Sequence, residues 1–215
     1  MTEHLSDADK FMGALKKFAP EFQVELSDDS ILRLKEYYGL VMAWNARLHL
    51  VAPCSPTEFA TRHVLESLLA APLMASGATV VDVGSGAGLP IIPCLIVRPD
   101  ITATLFESSH KKTVFLRTAA CYVGLRTRTE IKAVRFESVP PPTADHVTCR
   151  ALDRFTALFP GLLRWSSSIN SMLLFGGDGL LDRIKALGLD HRAILIPGSE
   201  RRYLFVVEPP AERKT

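Results

Sequence analysis

The residues best placed to do chemistry lie between Thr79 and Glu107. Thr79-Val80-Val81-Asp82-Val83 is a short β-branched run, and Gly84-Ser85-Gly86-Ala87-Gly88-Leu89-Pro90 follows it at once. Three alternating glycines let a backbone turn tightly and approach a ligand closely, and helix N–H groups just beyond such a turn face the same spot. A pyrophosphate-binding loop has the spacing G-x-G-x-x-G, and the position that would complete it here is Leu89. Glu107 closes a second strand-like run, Thr102 to Phe106, and stands 19 residues after Gly88. A carboxylate there can accept both hydroxyl protons of a ribose. Strand, glycine turn, helix, strand and acid in that order point to a nucleoside-bearing ligand with a weak case for a pyrophosphate.

The elements that must hold these groups follow from periodicity. Before Thr79 the spacing is helical. Phe11, Leu15 and Phe18 share one face, and Pro20 ends that segment. Ser27 caps a second helix carrying Ile31, Leu34, Tyr38, Val41, Asn45 and Leu48. Ser55-Pro56-Thr57-Glu58 opens a third, with a hydroxyl N-cap, proline at the first position and a carboxylate three residues on. That helix buries Phe59, Leu65, Leu68 and Leu69 and ends near Pro72.

After Thr102–Phe106 the pattern predicts a helix over Ser109–Leu125 and strands over Ile131–Val134, Ala144–Cys149 and Ser171–Phe175. Helices are expected near Phe155–Leu163 and Leu180–Leu187. Arg192–Ile196, a Pro197-Gly198 turn and Arg202–Val207 read as a hairpin. The expected fold is α/β: a mostly parallel Rossmann-like sheet with helices on both faces, a helical N-terminal extension and an antiparallel C-terminal hairpin. Residues 1–75 form the helical segment, 76–208 the ligand-binding domain, and 209–215 a fraying tail.

The 215 residues carry 47% hydrophobic and 22% charged side chains, which excludes a disordered, collagen-like or coiled-coil chain. Net charge is only +2, yet its distribution is polarised. Met1 to Glu36 holds five basic and eight acidic residues, whereas Arg98 to Arg135 holds eight basic and three acidic ones. A basic middle suits a polyanionic partner. Cys54, Cys94, Cys121 and Cys149 form no CxxC pair and read as small core residues in a reducing, cytoplasmic setting. The acidic N-terminus does not suit a secretory signal, and no apolar run is long enough to cross a membrane. No Ser/His/Asp set and no metal-spaced His/Cys cluster is visible.

The alternating glycines behind Asp82 resemble motif I of S-adenosylmethionine (SAM) methyltransferases. A wider set of motifs resembles the bacterial 16S rRNA guanine-N7 methyltransferase family (RsmG, or GidB): Trp44-Asn45 with Leu48-His49-Leu50, Arg62-His63 with Glu66-Ser67-Leu68, Asp82 to Pro90, Arg98-Pro99, Glu107-Ser108, Phe115-Leu116-Arg117 and Cys149-Arg150-Ala151. The likeness spans roughly Leu34 to Leu187. It implies SAM as cofactor, 16S rRNA or the small ribosomal subunit as partner, and no metal. It further implies that Asp82, Gly84, Gly86 and Leu89 line the cofactor, that Glu107 holds its ribose, that Phe136 and Glu137 flank its adenine, and that Arg150 closes the pocket. Arg62 and His63 are the substrate-side candidates, and Lys111, Lys112, Arg117, Arg126 and Arg128 would meet RNA phosphates. The chain departs from the family at Ile91, where glycine is usual, and at Gly176-Gly177, where a Lys-Gly pair is expected. A small-molecule acceptor, a non-catalytic RNA-binding protein on the same fold, and a dinucleotide oxidoreductase stand as the alternatives.

Overall fold

The computed structural model describes residues 5–150 and 155–209. Residues 1–4 and most of the expected tail lie outside it, as does Ala151 of the Cys149-Arg150-Ala151 motif.

Seven strands form one sheet in the order β3-β2-β1-β4-β5-β7-β6. β1 (Thr79–Val83), β2 (Thr102–Phe106), β3 (Thr129–Lys132), β4 (His146–Arg150) and β5 (Ser171–Gly177) run parallel. The terminal hairpin, β6 (His191–Leu195) and β7 (Arg202–Val207), adds two antiparallel strands. The second of them inserts beside β5 and leaves β6 at the edge. β1 and β4 are therefore interior neighbours, and the strand order reverses between them. Open α/β sheets bind ligands at the carboxyl ends of the strands flanking such a point.

Side chains alternate across the sheet and feed two cores. One face, with Val80, Leu105, Leu173 and Leu204, packs on the helices α1 (Asp7–Phe18), α2 (Asp28–Leu48), α5 (Ile91–Val97) and α6 (His110–Tyr122). The other face, with Val81, Val147, Leu174 and Phe205, packs on α7 (Phe155–Trp165) and α8 (Asp178–Ala186). The N-terminal helices share the first core with the sheet, because Phe11, Leu34, Tyr37 and Phe59 join the same apolar cluster as Ile92 and Phe115.

The two caps expected from sequence form: Ser27 accepts from the Ser30 N–H, and Ser55 accepts from the Glu58 N–H. Ser6, not anticipated, makes a full capping box with Asp9. The third helix differs from the expected continuous one. α3 (Pro56–Glu58) and α4 (Glu66–Leu68) are separated by a π-helical stretch, Phe59–Leu65, that contains Arg62 and His63. π turns insert a residue and re-aim side chains, often at functional sites. The cysteines divide: Cys94 and Cys149 are buried, Cys54 is half-buried, and Cys121 is exposed on α6 and is no core residue. Val114 and Tyr122 on the same helix are exposed too.

Candidate functional site

A cavity of about 870 Å³ opens at the carboxyl edge of β1, β2 and β4, and the glycine loop forms its floor. Gly84, Gly86 and Gly88 all have positive φ (70°, 52° and 88°), which side-chain-bearing residues rarely adopt. A Cβ on Gly88 would also sit 2.3 Å from the Ile92 Cδ1. The loop is stitched to β2, since the Gly84 and Ser85 N–H groups donate to the Phe106 carbonyl at 2.9 and 3.1 Å.

Glu107 stands in the wall of this cavity. One carboxylate oxygen accepts from the Gly86 N–H at 2.9 Å and the other from the Ser109 N–H at 2.7 Å. Each oxygen keeps a further lone pair for a ligand hydroxyl. Asp82 lies beneath the loop and, unlike the other candidates, does not line the cavity; it is fully buried. The Thr148 hydroxyl donates to its Oδ1 at 2.7 Å, while Oδ2 has no partner among the described residues. Burial pushes its carboxyl up to about 7, against the hydroxyls that stabilise the ionised form.

Phe136 and Glu137, in a short turn covering Phe136–Ser138, also line the cavity, as does Leu89 from the loop. Phe136 is buried edge-on against Trp165, and Glu137 is exposed. The remaining wall is the π-helical stretch. Arg62 is half-exposed and paired with Glu58 at 2.7 Å. His63 packs on Phe59, and burial, with Arg150 and Arg62 nearby, lowers its imidazole to about 4. His63 is therefore uncharged at neutral pH, which makes it a hydrogen-bonding group and not a phosphate anchor.

Arg150, at the end of β4, also lines the cavity, but its donors are already engaged. They reach the Arg62 and His63 carbonyls, the Ser67 hydroxyl at 3.1 Å and Glu66 at 3.1 Å, and the guanidinium lies over the Phe175 ring. Glu66 is 2% exposed and holds a second guanidinium, that of Arg202 from β7. Burial raises the Glu66 carboxyl, while the two cations pull the other way. This Arg150–Glu66–Arg202 triad, buried at Glu66, nearly buried at Arg150 and partly exposed at Arg202, ties the π stretch to the sheet. The position of the expected lysine, Gly176, pairs in register with Tyr203, and Arg202 pairs with the neighbouring Gly177. A Cβ at Gly176 would lie 2.7 Å from the Leu180 side chain, so local packing favours glycine there.

Arg202 and the role of Glu66 were not anticipated. A carboxylate inside the apolar run Leu65-Glu66-Ser67-Leu68 was the available signal, since a buried acid needs a cation. Arg202 carried no local sign. The basic middle also divides. Lys111, Arg117 and Arg126 are exposed, and Lys112 reaches the cavity. Arg128 instead donates to the Leu95, Arg98 and Ile101 carbonyls, at 2.8 to 3.1 Å, and is a strut of the sheet's lower edge.

The residues present fit a SAM-sized ligand. The cavity is large enough, its glycine loop lets a ligand lie against the backbone, and Glu107 in its wall keeps lone pairs for ribose hydroxyls. Among the described residues no helix is long and apolar enough to cross a membrane, and no group of three or more His, Cys, Asp or Glu side chains could hold a metal.

Residues 30–194 match the family model described as GidB, rRNA small subunit methyltransferase G. The chain is 36% identical over 194 residues to the ribosomal RNA small subunit methyltransferase G of Xanthomonas campestris pv. campestris (strain B100), covering 85% of this chain and 88% of that protein. It is 34% identical over 143 residues to the protein of the same name from Chromobacterium violaceum, with 66% and 68% covered. Among solved structures, mitomycin 7-O-methyltransferase MmcR superposes with a TM-score of 0.58 at 15% identity, over 95% of this chain and 73% of that one. Precorrin-6y C5,15-methyltransferase from Geobacter metallireducens GS-15 does so with a TM-score of 0.52 at 10% identity, over 67% and 87%. These two likenesses show a shared Rossmann-like methyltransferase fold.

Proposed function

The chain belongs to the GidB family of rRNA small-subunit methyltransferases, and we propose that it transfers a methyl group from SAM to N7 of one guanosine in 16S rRNA. The observation that carries the reading is the convergence on one cavity of the positive-φ glycine loop, Glu107 and the cationic rim, above Asp82, whose Oδ2 has no partner among the described residues. Family membership supplies the RNA class and the fold, and the cavity supplies a place for the donor.

Bound in this cavity, SAM supplies an electrophilic methyl group on a sulfonium. The side chains then have separate tasks. Glu107 takes the ribose hydroxyls with its spare lone pairs, Phe136 and Glu137 flank the adenine, and Gly84, Gly86 and Leu89 let the ligand lie against the backbone. Asp82 contributes negative potential beneath a cationic donor. Arg150 acts from behind by fixing the carbonyls of Arg62 and His63, and those two residues face the incoming base. Guanine N7 carries a free lone pair, so no proton has to be removed before attack. The protein's work is then mainly alignment, an effect worth roughly 7–11 kcal/mol in favourable cases. A neutral His63 suits a guanine that becomes cationic on methylation.

Lys111, Lys112, Arg117 and Arg126 contribute affinity for RNA phosphates and no sequence choice. Sequence-selective RNA recognition works on unstacked bases, so the target guanine is expected to be splayed out of its loop. Residues 1–75 act as a helical cap that completes the site carried by 76–208, and the substrate places the reaction in the cytoplasm. Isothermal calorimetry with SAM and with its demethylated product tests the donor site. Saturable binding of both supports it, and absence of heat with either one overturns it.

A further inference from the structure

The glycine loop is anchored from two sides. From the sheet side, Phe106 and Glu107 hold Gly84, Ser85 and Gly86. From the other side a single α2 side chain reaches in: the Tyr37 hydroxyl donates to the Ala87 carbonyl at 2.7 Å, fifty residues away in sequence. Tyr37 is fully buried, and burial raises its phenol far above the usual range, so it remains a donor at any working pH. Ala87 stands between two glycines with positive φ, 52° and 88°. The peptide joining Ala87 to Gly88 is held at one end by its own N–H, which donates to the Ser85 carbonyl, and at the other by the Tyr37 hydroxyl on its carbonyl, so the side-chain bond adds the second of two anchors on its orientation. The same helix fixes the opposite rim. Asn45, two turns further on, accepts from the Val51 N–H at 3.0 Å, and Leu50, Val51 and Ala52 line the cavity.

We infer that Tyr37 is a positioning residue for the cofactor loop, holding the Ala87 carbonyl out of the cavity and keeping the loop in its ligand-ready shape. The inference rests on the reading of that loop as the SAM site. Without the hydroxyl the loop divides its time among peptide orientations, and apparent affinity falls with the fraction that remains competent. Loss of one such bond corresponds to about a fivefold change.

The test is Tyr37→Phe in the full chain. The expected result is a KM for SAM raised about five- to tenfold, with kcat at saturating SAM and KM for RNA within about twofold of the parent. Amide exchange at Gly86 and Gly88 should quicken about fivefold while β1 and α6 keep their protection. An unchanged KM for SAM with unchanged loop exchange overturns the inference. So does a parallel fall in kcat and RNA affinity, which would mark general loss of structure. In the parent protein the Tyr37 hydroxyl proton should exchange slowly with solvent, and rapid exchange would also count against it. The exchange measurements need no donor, so they judge Tyr37 even if the parent fails to bind SAM, an outcome that would defeat the reading of the site instead.

Discussion

Asp82→Asn isolates the energetic character of the site. The Asp82 carboxyl is fully buried, has one hydroxyl donor and carries an orphaned oxygen, and its pKa is raised from 3.8 to about 7. A group whose pKa is higher folded than unfolded contributes stability that is complete below its unfolded value and is lost as pH rises through the folded one. The window here runs from about pH 4 to pH 7. A shift of roughly three units at 1.36 kcal/mol each makes the ionised carboxylate cost the fold about 4 kcal/mol at pH 8. Asparagine keeps the shape and can still accept from Thr148, but it never ionises. Urea unfolding of both proteins from pH 4 to pH 8 is the assay. Stability of the variant relative to the parent should climb by about 3–4 kcal/mol across that range, while its affinity for SAM falls. A stability difference that stays constant within about 0.5 kcal/mol would refute the reasoning.

Glu66→Gln should unpair two guanidiniums at once and cost about 3–5 kcal/mol, lowering the melting temperature by roughly 6–20 °C for a domain of this size; a shift under about 3 °C in a thermal melt would show that the triad is energetically idle. Glu107→Gln should weaken SAM binding by about 10- to 100-fold, the worth of hydrogen bonds to a charged acceptor, while turnover at saturating SAM stays within a few-fold. Equal losses in calorimetric affinity and in saturated turnover would contradict a holding role. Neutralising Lys111 and Arg117 together should weaken rRNA binding and flatten its salt dependence by about two units of slope. Arg128→Met should leave that slope alone and lower the urea midpoint; the reverse pattern in filter binding would place Arg128 at the RNA surface.

Much of the architecture was readable because its signals are local. β1, β2 and β7 fall on the residues their β-branched and apolar patterns predicted, and the Ser27 and Ser55 caps form as expected. β3 begins and ends two residues before the predicted Ile131–Val134, because pairing with β2 sets its register and Val134 is left exposed at the lip of the cavity. The insertion of β7 between β5 and β6 depends on long-range pairing, which a hairpin motif alone does not fix. The π stretch is invisible in a helical hydrophobic pattern, and the tertiary bonds that brace it, from Arg150 of β4 to the carbonyls of Arg62 and His63, carry no local sign. Nine of the ten candidate site residues line one cavity, because the glycine loop, Glu107 and the strand ends are brought together by the fold itself. Tyr37, Glu66 and Arg202 escaped as functional supports because each acts on residues far away in sequence.

The central claim is methyl transfer to a single guanine N7. Small subunits lacking the modification, incubated with the purified protein and methyl-labelled SAM, can be probed by reductive cleavage of their 16S rRNA, which breaks the chain only at N7-methylguanosine. A single new strand break, absent without enzyme and accompanied by release of the methyl label with the excised base, is the predicted result. Label elsewhere in the RNA, or no label with a protein that demonstrably binds SAM, would contradict it.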